Sequence, residues 1–336
     1  MLKKLNLSKI FYLIVIALVL LAVGLFVVHS YMGGESLLPA RNILPPTSLF
    51  MNEDKDTFTI ALISDTGTHN HVLEKAIDSA RQNDNPDFIM YLGDFVSDRR
   101  PANFYWMLHE IERHLGGTPF YMIPGNHDVE KRGNIDKRYY RAVMGPAYYW
   151  FGYGDTLFIA MDSSDEIEDE QFEWLADTLK HIRPLFKNCI LFGHMPPKNV
   201  PGAEKHMMKD DDVQKFESII RGHKINAMFF GHVHYFSKDE FAGIPIYTTP
   251  SSGQTARFTD IGKFGYISLR IGPRGIEDIT PKYIKFSGPR REYFEAWFFR
   301  YVFTQRIREL INAITIAAFV FFVAGLITKY YARRKK

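Results

Sequence analysis

The nine residues FYMIPGNHD, 120–128, decide how this chain is to be read. Phe120–Ile123 has the length and side chains of a buried strand, and Pro124-Gly125 ends it in a turn. That turn delivers an amide, an imidazole and a carboxylate in succession: Asn126, His127 and Asp128. Alone the fragment is weak, because Asn and Asp also serve turns for their own sake.

The same pattern recurs on either side. Upstream, Phe58–Ile63 runs into Ser64-Asp65-Thr66-Gly67, and Phe88–Leu92 runs into Gly93-Asp94. Downstream, Leu157–Met161 leads into Asp162, Ile190–Phe192 into Gly193-His194, and Ala227–Phe230 into Gly231-His232-Val233-His234. Between these runs the spacing predicts helices over His71–Gln82, Asn103–His114, Gln171–Ile182 and Val213–Ile220. Strands alternating with helices imply a sheet covered by helices. Ligands in such folds bind beyond the carboxyl ends of the strands, where every one of these clusters sits. Residues scattered along the chain are therefore expected to meet at one sheet edge.

The collected side chains are Asp65, Asp94, Asn126, His127, His194, His232 and His234. Carboxylates, an amide oxygen and imidazoles, with no thiolate, suit Zn, Mn or Fe. Two such cations a few ångströms apart need a shared carboxylate between them. Held so, they clamp phosphoryl oxygens and acidify a water for in-line attack. No Gly-rich loop with a Lys follows a strand, which excludes P-loop chemistry, and no Ser-His-Asp arrangement is evident.

These motifs, in this order, resemble the calcineurin-like metallophosphoesterase superfamily. Its pattern is Asp-x-His, Gly-Asp, Gly-Asn-His-Asp/Glu, Gly-His and Gly-His-x-His, and the likeness covers about residues 56 to 275. Gln171 with Trp174-Leu175, and the Thr248–Gly253 turn, are similar as well. The resemblance implies an α/β fold: a sandwich of two mostly β sheets with helices on both outer faces. It implies a centre of two divalent or trivalent ions (Mn, Fe or Zn). Asp94 would bridge them, Asp65 and His234 would bind the first, and Asn126, His194 and His232 the second. His127 would contact the phosphate and assist the leaving group, with Asp128 orienting His127 by a hydrogen bond. The departure is Gly67, where most members place a metal-binding His. Purple-acid-phosphatase-like members share Asp-x-Gly there, and a Tyr three residues past the Gly-Asp aspartate supplies the ligand; here that position is Ser97. Three readings follow. Water or Ser97 fills the gap, His69 or His71 swings in, or the second ion alone binds tightly and the domain is a degraded, membrane-tethered binding or scaffold protein.

The two ends have a different character. Ile10–Val28 is nineteen residues without a charge, near the ~20 needed to cross a bilayer as a helix. It exceeds the usual apolar core of a signal peptide, so an uncleaved anchor is expected. Ile311–Thr328 forms a second candidate span. Lys3, Lys4 and Lys9 precede the first; Lys329, Arg333, Arg334, Lys335 and Lys336 follow the second, which places both termini in the cytoplasm and the middle outside it. Subtracting these eight from the 41 basic residues leaves 33 against 38 acidic ones, so the body is mildly acidic. A nucleic-acid binder shows the opposite field, and nucleic acid is not expected as a partner.

The organisation expected is a basic stub (1–9), a span (10–28), a linker (29–55), a catalytic domain (56–284), a juxtamembrane segment (285–310), a second span (311–328) and a basic tail (329–336). Trp297, Phe298 and Phe299 among arginines suit a lipid interface. Cys189 is alone and apolar in context, expected to be a buried small hydrophobe. Lys198, Lys205, His206 and Lys209, in the loop after His194, are candidates for contact with substrate anions. The substrate class expected is a phosphomonoester or phosphodiester, lipid-linked or extracytoplasmic.

Overall fold

A computed structural model describes residues 7–33, 50–51, 55–67, 70–97, 99–131, 133–198, 200, 207–253, 263–285 and 304–334. Much of the expected linker and juxtamembrane segment lies outside these, as do His69, Lys205 and His206. The chain forms two compact units: residues 38–296, and the two terminal segments together.

Two sheets make the larger unit. One has five strands in the order Gly275–Ile284, Phe264–Gly272, Phe58–Ile63, Phe88–Leu92, Phe120–Ile123. The last three are parallel, and the first two form an antiparallel hairpin on their flank. The other sheet has seven, in the order Phe50–Met51, Tyr149–Tyr153, Thr156–Ala160, Asn188–Phe192, Ala227–Phe230, Ile244–Thr248, Ser237–Phe241. Its central four are parallel. A small hairpin pairs Glu130–Lys131 with Asn134–Ile135.

Apolar layers follow from the two-residue alternation of a strand. Ile60 and Leu62 face the second sheet, whereas Ala61 and Ile63 face the helices Asn70–Asp84 and Pro101–Leu115. In the second sheet Phe158, Ile190, Phe192 and Phe229 point inward; Leu157, Cys189, Leu191 and Met228 meet Asp169–Asp177 and Asp210–Ile220. Because both faces are covered, these strands read as unbroken apolar runs. Cys189 is fully buried, and burial pushes its thiol up to about 12.

The expected helix Gln171–Ile182 begins at Asp169, is α-helical only to Asp177, and widens into a π turn over Thr178–Ile182. A 3-10 turn with Pro184 at its start follows. The strand Ser237–Phe241 escaped the sequence reading because it is an edge strand with polar faces, SKDEF.

The inter-sheet layer is rich in aromatics. Phe158 stacks on Phe192 at 5.8 Å and on Phe151 at 5.1 Å, and meets Phe88 edge-on at 5.5 Å. Phe158→Ala is expected to cost about 3–5 kcal/mol, read by denaturant unfolding. A loss below about 1 kcal/mol would mean that the layer repacks freely.

In the smaller unit, helices Leu7–Gly33 and Thr304–Arg334 pack against each other. Phe11 lies 6.1 Å from Phe321, and Tyr12 lies 6.2 Å from Phe322. Both helices are long and apolar enough to cross a membrane, over Leu7–Val27 and Glu309–Arg334. Leu13, Leu20, Phe26, Ile316 and Phe319 are all more than half exposed, leaving apolar surface that water does not favour.

Candidate metal centre

Parallel pairing in both sheets puts the carboxyl ends of their central strands at one edge. The loops leaving those ends are stitched by backbone hydrogen bonds. Asp65 N–H donates to the Gly93 carbonyl at 3.0 Å, and the Thr66 and Gly67 N–H groups donate to the Asp94 carbonyl at 3.0 and 2.9 Å. Close approach also requires glycine. A Cβ on Gly125 would lie 2.2 Å from the Asp94 nitrogen, and one on Gly231 would lie 2.8 Å from the Leu92 carbonyl oxygen.

Four of the expected ligands have left-handed backbone: Asp65 (φ 58°), Asp94 (58°), His232 (67°) and His234 (64°). Such conformations cost non-glycine residues roughly 1–3 kcal/mol each and persist only where surroundings enforce them. Here each turns a side chain off a strand end into the shared space.

Two donor groups result. Asp94, His194 and His232 offer ligand atoms within 4.8 Å of one another, and so do Asp65, Asp94 and His234. Asp94 belongs to both. Asn126 joins the first group, its Oδ1 lying 3.2 Å from His194 Nε2. The His194 ring is fixed: its Nδ1–H donates to the Leu92 carbonyl at 2.7 Å, the arrangement that would leave the Nε2 lone pair for a cation. Its backbone N–H donates to Ser163 Oγ at 2.8 Å. Neither Leu92 nor Ser163 was singled out from sequence, because a carbonyl partner leaves no signature and serines are common in turns.

Asp65 and Asp94 are buried, and among the described residues no Lys or Arg pairs with either. Burial raises the Asp65 carboxyl, but His234, 3.5 Å away, together with His194 and the Ser64 hydroxyl, outweighs it and brings the group down to about 2. Two buried carboxylates gathered with imidazoles and an amide oxygen, and without a Lys or Arg counter-charge among the described residues, suit a cation. The two overlapping groups fit metal cations that take oxygen and nitrogen ligands.

His127 belongs to neither donor group. Its ring is 39% exposed, Nε2 is 3.9 Å from Asp94 Oδ2, and its Nδ1–H donates to the Ser97 carbonyl at 3.2 Å. This corrects the expectation for Asp128. Its carboxylate accepts from Gly125 N–H at 2.9 Å and Val96 N–H at 3.0 Å, so it braces two loops instead of orienting His127. Burial, then the Asp94 charge, pushes Asp128 up to about 7.

At the Gly67 gap, Ser97 Oγ–H donates to the Gly67 carbonyl at 2.6 Å. His71 sits in the first turn of its helix beside Glu74, at 3.3 Å, and joins neither donor group. Lys198 pairs with Asp239, and Lys209 with Glu166, rather than converging on the centre. Gln171 clamps the Asp162 peptide, accepting from its N–H and donating to its carbonyl. Asp162 itself pairs with Lys137 at 2.9 Å, so this strand end supplies structure rather than a ligand.

A family model for calcineurin-like phosphoesterases matches residues 58–236, more than half of the chain. The chain belongs to the calcineurin-like phosphoesterase family. Membership bears out the expected fold and class. A probable cyclic nucleotide phosphodiesterase of Psychrobacter is 24% identical over 56% of this chain and 61% of its own length. A cAMP/cGMP dual specificity phosphodiesterase of Mycobacterium tuberculosis is 26% identical, over 52% of this chain and 57% of its own length. A probable glycerophosphodiester phosphodiesterase of Arcobacter nitrofigilis is 27% identical, over 49% and 63%. The chain thus spans about six-tenths of the length of these relatives. Among solved structures, purple acid phosphatase PPD1 of yellow lupin matches with a TM-score of 0.55 at 15% identity, over 70% of this chain and 53% of that one. A dimetal phosphatase from Danio rerio matches with a TM-score of 0.52 at 14% identity, over 69% of this chain and all of that one. These two likenesses establish the two-sheet fold of the family.

Proposed function

We propose that this chain is a membrane-anchored hydrolase that cleaves a phosphate ester, with diesters as its substrate class. One observation carries the reading: the Asp94 carboxylate is shared by two overlapping donor groups whose atoms lie within 4.8 Å. When bound, two ions there supply Lewis acidity for the phosphoryl oxygens and an acidified water. Asp65 and His234 hold one side; Asn126, His194 and His232 hold the other. His127, with its Nδ1–H held by the Ser97 carbonyl, presents Nε2 to the open side; as the imidazolium it gives its Nε2 proton to the departing oxygen and is left as the neutral Nδ1–H ring. The diester class is suggested by relatives named for cyclic nucleotides and glycerophosphodiesters.

The anchoring reading rests on the two apolar helices and on the lysines and arginines beyond them. It places both termini in the cytoplasm and the catalytic domain outside, facing lipid-linked or extracytoplasmic phosphate esters. The absence of a side chain at Gly67 favours a second reading, a binding or scaffold protein with a degraded centre.

One experiment separates them. The purified full chain in detergent, stripped with chelator and reloaded with Mn, is assayed on bis-p-nitrophenyl phosphate and on p-nitrophenyl phosphate. Turnover that vanishes on chelation, returns with metal and is faster on the diester supports the proposal. Metal-independent inactivity on both esters favours the scaffold.

A further inference from the structure

Four hydrogen bonds form a closed circuit around Asp94. Gly67 N–H donates to the Asp94 carbonyl at 2.9 Å, and Ser97 Oγ–H donates to the Gly67 carbonyl at 2.6 Å. The Ser97 carbonyl accepts from His127 Nδ1–H at 3.2 Å, and His127 N–H donates to Asp94 Oδ1 at 2.9 Å. We infer that Ser97 is a positioning residue for His127: its hydroxyl latches onto Gly67, and the latch aims its carbonyl at the His127 ring.

The need for such a latch follows from the exposure of that ring. His127 is 39% exposed, and the Ser97 carbonyl makes the sole hydrogen bond to its ring among the described residues. A half-exposed imidazole turns readily about its outer torsion, and only a bond at Nδ1 keeps Nε2 facing the site. The loop bearing Ser97 is anchored on one side, where Phe95 and Val96 are fully buried and Val96 N–H donates to Asp128. Beyond Val96 the chain emerges, and Ser97 is only partly buried. The Gly67 bond fixes it at that point. Gly67 itself has left-handed backbone (φ 56°), which a side-chain-bearing residue adopts at a cost. Gly67 and Ser97 thus join the loops after Ile63, Leu92 and Ile123 into one unit.

This inference rests on the hydrolase reading for its catalytic consequence, and a proton donor matters most when the leaving group is poor. The test uses the full chain in detergent, loaded with Mn, with Ser97→Ala and Ser97→Thr compared on methyl phenyl phosphate and methyl p-nitrophenyl phosphate. Ser97→Ala is expected to lower kcat about ten-fold on the phenyl ester, part of the ~10²–10⁴ that a positioned acid supplies. The loss shrinks to within about two-fold on the nitrophenyl ester, KM holds, and Ser97→Thr restores the phenyl rate. Equal losses on both esters, failure of Thr to restore, or loss of a bound ion in Ser97→Ala would overturn the latch, the last by making Ser97 a ligand.

Imidazole nitrogen NMR of histidine-labelled protein reads the latch without turnover, with the His127 signal assigned by His127→Gln. An Nδ1–H signal hydrogen-bonded to a carbonyl in the wild type that is lost in Ser97→Ala supports it, and a signal unchanged in Ser97→Ala sinks it. Should the wild type hydrolyse neither ester, the hydrolase reading falls, and the NMR outcome alone decides the latch.

Discussion

Asp94→Asn removes turnover of a phosphodiester by roughly 10³-fold or more, the scale of losing a preorganised charge at the reacting centre. Asparagine keeps the size of the side chain and an oxygen to accept the His127 N–H now bound at 2.9 Å. What it loses is the negative charge between the two donor groups. Bound metal should fall from about two ions per chain to about one or fewer, since only an anion offsets the repulsion between cations. The fold should not suffer. Asp94 is 1% exposed and has no Lys or Arg partner among the described residues, so neutralising it relieves a buried charge. The melting temperature of the metal-free variant should equal or exceed that of metal-free wild type. A variant that keeps its metal and its rate would remove Asp94 from the bridging role.

His127→Ala shows the opposite separation. His127 belongs to neither donor group, so metal content should remain at the wild-type level. kcat should fall ~10²–10⁴-fold on esters with poor leaving groups. The loss should shrink as the leaving group improves, because a stable anion departs without a proton. Steady-state kinetics over a leaving-group series, with metal analysis of the same samples, checks both halves. Ion loss that parallels the rate would recast His127 as a ligand. Comparable loss across the series would make it a phosphate contact only.

Most of the sandwich was legible in the sequence. Phe58–Ile63, Phe88–Leu92, Phe120–Ile123 and Ala227–Phe230 stand where their apolar runs predict. A central strand covered on both faces must be continuously apolar, and little else in a chain is. The hairpin of Phe264–Gly272 and Gly275–Ile284 was not read as strands. Its outer strand, GIEDITPKYI, mixes charges and Pro281 with isoleucines, as an edge open to water permits.

Around the centre, the side chains that the structure brings together were legible as residue types, and their support was not. Asp65, Asp94, Asn126, His194, His232 and His234 carry unusual chemistry at strand ends, and a residue type is visible in a sequence. Their left-handed backbones, the Leu92 carbonyl behind His194 and the Ser163 hydroxyl carry no such mark. Asp128 shows the limit most sharply. Its place beside His127 in the chain suggested that it steadies that ring, but its oxygens go to the Gly125 and Val96 amides. Residue types and their alternation therefore determined the strands and the kinds of ligand. Which side chains gather around Asp94, and which atom holds each imidazole, was decided only when distant loops closed on one another, as His232 N–H does on Asp65 across 167 residues. Those contacts depend on backbone direction and distance, which no single position in the chain encodes.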